Sequence, residues 1–168
     1  MSRYYSIEKY DKYLSLKFSP VMWLIVLFLL RPYIIFFASI ANRSDRMMLI
    51  NLFYSDKLPL SLGAFAGIPA ALLVYAWTRR RPGAPDFVKR LWHKGRILLS
   101  VSALLNGAIV FVPLWLGVGH RITAYGWGQL AASLLILVVV YRSRYMRDCF
   151  ADFPEGEDAD VSGRKKGA

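Results

Sequence analysis

Four apolar runs constrain this chain more than any other feature. Residues 19–41, 58–77 and 97–117 each hold the ~20 mainly apolar residues that a helix needs to cross hydrocarbon, and residues 124–141 come near the lower limit. Apolar residues make up 56% of the chain, above the about 45–50% usual for globular proteins, and the excess is clustered in these runs. The expected fold is an all-α membrane protein with four transmembrane helices.

The net charge of +11 would suggest nucleic acid if the basic residues formed a stripe on a soluble surface. Instead they segregate between the loops. Arg3, Lys9, Lys12 and Lys17 precede the first run; Arg79, Arg80, Arg81, Lys89, Arg90, Lys94 and Arg96 fill the second loop; Arg142, Arg144 and Arg147 follow the fourth run; Arg164, Lys165 and Lys166 lie near the C-terminus. Those seventeen share one side, against Arg43, Arg46, Lys57 and Arg121 on the other. The positive-inside rule therefore predicts both termini and the second loop in the cytoplasm, and no nucleic-acid partner. Ser39-Ile40-Ala41 resembles a signal-peptidase site, but the long polar lead and the interruption at Arg31-Pro32 argue for an uncleaved helix.

Three parts follow in order: an amphipathic cytoplasmic lead over 1–18, a transmembrane domain over 19–147, and a disordered cytoplasmic tail over 148–168. The lead is aromatic and basic, suited to lying on an anionic inner leaflet. In the first outer loop, Asn42 or Ser44 is placed to cap a short interfacial helix through Phe53. Gly63 and Gly67 form a small-x-x-x-small face on the second span that lets a neighbouring backbone approach closely, within the chain or in a homodimer. The second loop opens with a Pro/Gly turn, and its basic amphipathic continuation predicts contacts of Arg79, Arg80, Arg81, Lys89, Arg90, Lys94 and Arg96 with anionic lipid head groups; a solvated topogenic loop is the plainer alternative. Trp77, Tyr141 and Tyr145 are expected at the inner boundary, and Trp115, Tyr125 and Trp127 at the outer one. Cys149, the single cysteine, is either an inert thiol or a juxtamembrane acylation site.

Arg31 is the chemically pointed residue. An arginine at mid-bilayer costs about 2.5–3.5 kcal/mol on insertion scales and is retained where something satisfies it. Pro32 lacks the N–H that the Phe28 carbonyl expects and kinks a helix. All eleven carboxylates lie outside the four runs. Counting depth at ~1.5 Å per residue, Asn106 and Ser133 reach the level of Arg31, with Ser102 one turn below Asn106. Three readings stay open: a structural polar knot of Arg31, Pro32, Asn106, Ser102 and Ser133; a site for an external anion, such as a lipid phosphate or a partner's carboxylate; and snorkelling into lipid.

Other chemistry is thin. His93 and His120 lie in opposite loops, no Cys/His/carboxylate spacing suggests a metal, and no phosphate loop or nucleophile elbow occurs. No catalytic residues, metal or cofactor are expected.

The stretches "YSIEKYDKYLSLK", "WLIVLFLLRPYIIFFASIANRSD", "NLFYSDKLPLSLGAFAGIPA" and "LWHKGR" together resemble the YfeZ-like family of small bacterial inner-membrane proteins. The resemblance covers about the first hundred residues and extends to the third and fourth runs by hydropathy. It implies a bacterial inner membrane and four spans, with Arg31 and the outer "NLFYSDK" as family features. The family is of unknown function, so no catalytic residue is carried over. The expected role is an accessory or structural subunit, or an assembly factor, with membrane lipids and other membrane subunits as partners. The alternative is an oligomeric transporter or an anionic-lipid-binding protein built on Arg31.

Overall fold

A computed structural model describes residues 16–41, 57–81, 83–117, 121–122 and 124–154. The lead before residue 16, the expected outer-loop helix and the chain beyond 154 lie outside the described residues. The regular elements described are α-helices: α1 Pro20–Leu29, α2 Arg31–Ala41, α3 Lys57–Thr78, α4 Asp86–His93, α5 Gly95–Ile109, α6 Val112–Trp115, α7 Ala124–Arg142 and α8 Arg144–Ala151.

The first apolar run is two helices. Ser19 caps α1, its hydroxyl oxygen accepting from the Val21 N–H at 3.3 Å, and Pro20 occupies the first turn, where no N–H is needed. Helical geometry ends at Leu30, and Arg31-Pro32 open α2 at 67° to α1. Pro32 thus sits in the first turn of a new helix, where its fixed φ fits and its missing donor costs nothing. The Leu30 carbonyl accepts from the N–H groups of Tyr33 and Ile34 at 3.0 and 3.1 Å. α2 leaves the α1 axis and packs on α3 through Tyr33, whose hydroxyl donates to the Ala64 carbonyl at 2.7 Å.

The third run is broken as well. α5 stops at Ile109, because Pro113 cannot supply the N–H that the Ile109 carbonyl would take. The chain tightens through Val110 and Phe111, whose N–H groups bond back three residues to Gly107 and Ala108, and one further helical turn, α6, follows. With 15 residues, α5 is about 22 Å long, shorter than the ~30 Å of hydrocarbon. α3 and α7 are each long and apolar enough to cross a membrane, and the bent α1–α2 pair makes a third crossing if it counts as one.

α1, α3, α5 and α7 form an antiparallel bundle with α5 against both α3 and α7. Met22, Val26 and Leu29 from α1, Ala70, Leu73 and Ala76 from α3, Leu99 and Ala103 from α5, and Val140 from α7 fill its interior. Alanines along α3 bring it close to α5, and Gly67 admits α1 and α2. A Cβ there would meet the Tyr33 ring at 2.8 Å and the Leu29 carbonyl oxygen at 3.2 Å.

The expected boundary of a disordered tail at 148 needs correction. α8 runs on to Ala151, capped by the Ser143 hydroxyl, which accepts from the Met146 N–H at 3.3 Å. Met146, Cys149 and Phe150 repeat at helical spacing and are all buried. Acidic Asp148 and Asp152 bracket this face and make the segment look like the start of a polar tail.

Candidate functional site

The end of the bundle that carries the basic residues is tied together by Arg80 and Trp92. Arg80 follows α3 by two residues, and its side chain is only 6% exposed. Its guanidinium lies over the Trp92 ring, Cζ 4.5 Å from the centroid, and donates to the carbonyls of Leu16 at 2.7 Å and Asp152 at 2.9 Å. The Trp92 indole N–H is shared between the carbonyls of Cys149 and Asp152, both at 3.0 Å. The Asp152 carboxylate accepts the Leu16 N–H at 2.7 Å and stands 3.9 Å from Arg80. The Tyr145 hydroxyl donates to the Lys17 carbonyl at 2.7 Å. Phe18 completes the knot, with its ring near those of Trp23, Trp77 and Trp92. Residues 16–18, the end of α3, α4 and α8 therefore form one body.

This knot holds Cys149. Its sulfur is fully buried and faces the carbonyls of Leu16 and Lys17 at 3.6 and 3.7 Å. Burial raises the thiol pKa from 9.0 to about 11, with Asp152 raising it and Arg80 opposing. A thiol so placed is inert.

Of the seven basic residues expected at head groups, Arg80 is the clear exception, because it serves the interior knot. Arg79, Arg81, Arg90 and Lys94 are exposed. Lys89 is half-buried and pairs with Asp86 at 3.8 Å. Arg96 is half-buried over the Tyr141 ring at 5.2 Å. Asp86, Lys89, Arg90, His93 and Lys94 line a shallow hollow on α4. Val88 and Trp92, on the apolar side of the amphipathic α4, are buried against the bundle.

A polar seam crosses the bundle. The Ser102 hydroxyl donates to the Ala66 carbonyl, Asn106 Nδ2 donates to the Ser102 carbonyl at 3.1 Å, and Gln129 Nε2 donates to the Asn106 carbonyl at 2.6 Å. Ser133 is buried opposite Gly107 on α5. Asn106 Oδ1 and Ser133 Oγ are buried without hydrogen-bond partners. Gln129 was missed in the sequence reading, although an amide inside the apolar run 124–141 was the available signal.

Arg31 does not join this seam by a hydrogen bond to the Asn106 side-chain oxygen. Its guanidinium lies over the rings of Phe28, one turn earlier, and Tyr125, in the first turn of α7, with Cζ at 4.7 and 5.4 Å from the centroids. Its Nε is buried without a hydrogen-bond partner. Pro32 is buried beside it. Gly63 is buried in α3, and Gly67 is covered by Tyr33 and Leu29 of the same chain. Among the described residues no three His, Cys, Asp or Glu side chains gather closely enough to hold a metal ion.

The profile of a family described as a protein of unknown function, DUF2919, matches residues 5–152. The chain is 29% identical over 147 residues to the inner membrane protein YfeZ of Escherichia coli strain K12, an alignment covering 87% of this chain and 93% of that one. No solved structure matches. The relative's membrane location and the apolar helices described above make this a membrane protein.

Proposed function

This chain belongs to the DUF2919 family of proteins of unknown function, and from that premise we propose that it is a multi-pass protein of the bacterial inner membrane that serves as a non-catalytic accessory subunit or assembly factor of a membrane complex. The observation that carries this reading is the filled interior of the bundle. Leu29, Leu73, Leu99 and Ala103 close the space among α1, α3 and α5, so a single chain offers its outer faces, rather than an internal path, for function. Large apolar side chains on those faces, such as Leu24, Phe65, Leu104, Leu134 and Val138, are exposed. Lipid or a partner's helix can cover them without a hydrophobic penalty.

The same reading has both chain ends and the second loop in the cytoplasm. The antiparallel helices gather Arg79, Arg81, Arg90, Lys94, Arg142 and Arg144 at one end, which supports contact of that end with anionic lipid. A conduit past Arg31 would have to be built between copies of the chain.

The test is the native size of the protein at endogenous abundance. Extraction in mild detergent should yield a discrete species larger than the chain, containing a specific membrane protein at fixed stoichiometry. A chain that is monomeric in the intact membrane, or one that alone forms an oligomer passing solute across liposomes, overturns the accessory reading.

A further inference from the structure

Arg31 starts from mid-depth of the bundle, but its side chain is directed away from the basic end. α1 rises about 15 Å from Pro20 before it ends, at ~1.5 Å per residue, and the 67° bend then carries α2 aside. The guanidinium meets Tyr125, which lies in the first turn of α7, about 25 Å along that helix from Arg142 at the basic end. The Arg31 guanidinium therefore reaches from mid-depth toward the bundle end opposite the basic residues. Tyr125, and Trp127 two residues further along α7, are exposed, at 46% and 62%, as suits aromatic rings at head-group depth.

Among the described residues the site shows no acceptor for the Arg31 Nε–H. A guanidinium carries five N–H donors in a planar fork, and the ring faces of Phe28 and Tyr125 take its face but not its N–H edges. Nε is buried without a partner. The described carboxylates, Asp86, Asp148 and Asp152, all belong to the far, basic end. A half-buried cation flanked by two rings and reaching toward the outer aromatic residues calls for an anion that meets it there, and a phosphate diester matches the fork with paired charge-assisted bonds. We propose that Arg31, clamped between Phe28 and Tyr125, binds the phosphate of a phospholipid from the leaflet opposite the basic end. The site does not depend on the accessory role, so either proposal can fail alone.

The experiment is a titration of the full-length, delipidated protein in detergent with short-chain phosphatidylglycerol, and separately with inorganic phosphate, read as the shift in unfolding temperature. The lipid should stabilise the wild type. Arg31→Gln should abolish that shift, and Arg31→Lys, which keeps the charge but not the fork, should weaken the lipid on the order of tenfold. Arg79→Gln combined with Arg81→Gln, at the other end, should retain it. Should Arg31→Gln not fold, Arg31→Lys and Tyr125→Leu carry the comparison. Three results overturn the proposal: titrations alike in wild type and Arg31 variants; an equal shift with inorganic phosphate alone; or an unchanged lipid response with loss of a co-purifying membrane protein, which would assign the cation to a partner's carboxylate. An Asp45→Asn, Asp56→Asn double variant that reproduces the Arg31→Gln loss would place the counter-charge within the chain and also overturn it.

Discussion

Arg80 stacks on the ring of Trp92 at 4.5 Å, and both side chains donate to the carbonyl oxygen of Asp152. One residue comes from the end of α3, the other from α4, and the acceptor follows α8. The cation covers the face of the indole while the indole edge and the guanidinium share an acceptor. Charge and aromatic bulk are thereby spent on closing the bundle's basic end rather than on its surface.

Trp92→Phe should keep most of the packing and remove the shared N–H. The expected loss is on the order of 1 kcal/mol for the missing donor, measured as unfolding in detergent. Trp92→Ala, which empties a fully buried site, should cost about 3–5 kcal/mol. Equal stability of both variants and the wild type would show that the knot is decorative.

Gly95 begins α5 directly under Phe150, where an added Cβ would fall on the ring edge and within 3.0 Å of Leu73 Cδ1. The ring is fully buried and has little freedom to yield. Gly95→Ala should therefore destabilise by about 1–3 kcal/mol through overpacking. Combining it with Phe150→Leu should cost less than the sum of the two single changes. Additive costs would mean that the two residues do not meet.

Deleting residues 155–168 should leave unfolding unchanged, because this stretch, rich in Glu, Asp, Gly and Lys, holds almost no apolar side chain to bury. Deleting from residue 152 onward should be costly. It removes the acceptor of Arg80 and Trp92 and the carboxylate that binds the Leu16 N–H. Comparing the two truncations by membrane yield and unfolding temperature separates an ordered junction from a dispensable tail.

The long helices were legible because an uninterrupted apolar run needs no tertiary knowledge: residues 58–77 and 124–141 correspond to α3 at Lys57–Thr78 and α7 at Ala124–Arg142. Arg31-Pro32 marked a disturbance, but its outcome as a 67° corner depends on Tyr33 finding Gly67 and the Ala64 carbonyl, which no local pattern contains. Arg80 lies between two other arginines, and only the fold distinguishes the one that turns inward. Trp92 on a basic amphipathic segment reads equally as a lipid anchor or as a core residue. The choice falls to α8, whose acceptors lie more than fifty positions away.

Cys149 ties the knot to pH. Its folded pKa of about 11 lies above the ordinary 9.0, so the unfolded chain releases the thiol proton first as pH rises. Stability from this group is complete below pH 9 and declines between about 9 and 11. Cys149→Ser should flatten that part of the pH profile, and maleimide should label the wild type at neutral pH only after unfolding. Rapid labelling of the folded protein would contradict its burial.

Topology provides the broadest check, because the bent α1–α2 pair and the short α5 each leave a crossing to be tested. If both cross, a reporter active only in the periplasm should be active when fused after Lys57 and after Trp115, and silent at the N-terminus, after Lys94 and after Arg147. If α1–α2 re-enters instead, the N-terminus joins the side of Lys57, and Arg3, Lys9, Lys12 and Lys17 would have to leave the basic side against the charge bias. If α5 re-enters, the fusion after Trp115 goes silent and the one after Arg147 becomes active. That arrangement would carry Arg142, Arg144 and Arg147 outward, yet α8 is bound through Cys149 and Asp152 to Trp92 on the second loop. The knot requires α4 and α8 on one face of the membrane, so an active fusion after Arg147 beside a silent one after Lys94 would contradict both the topology and the packing of Trp92.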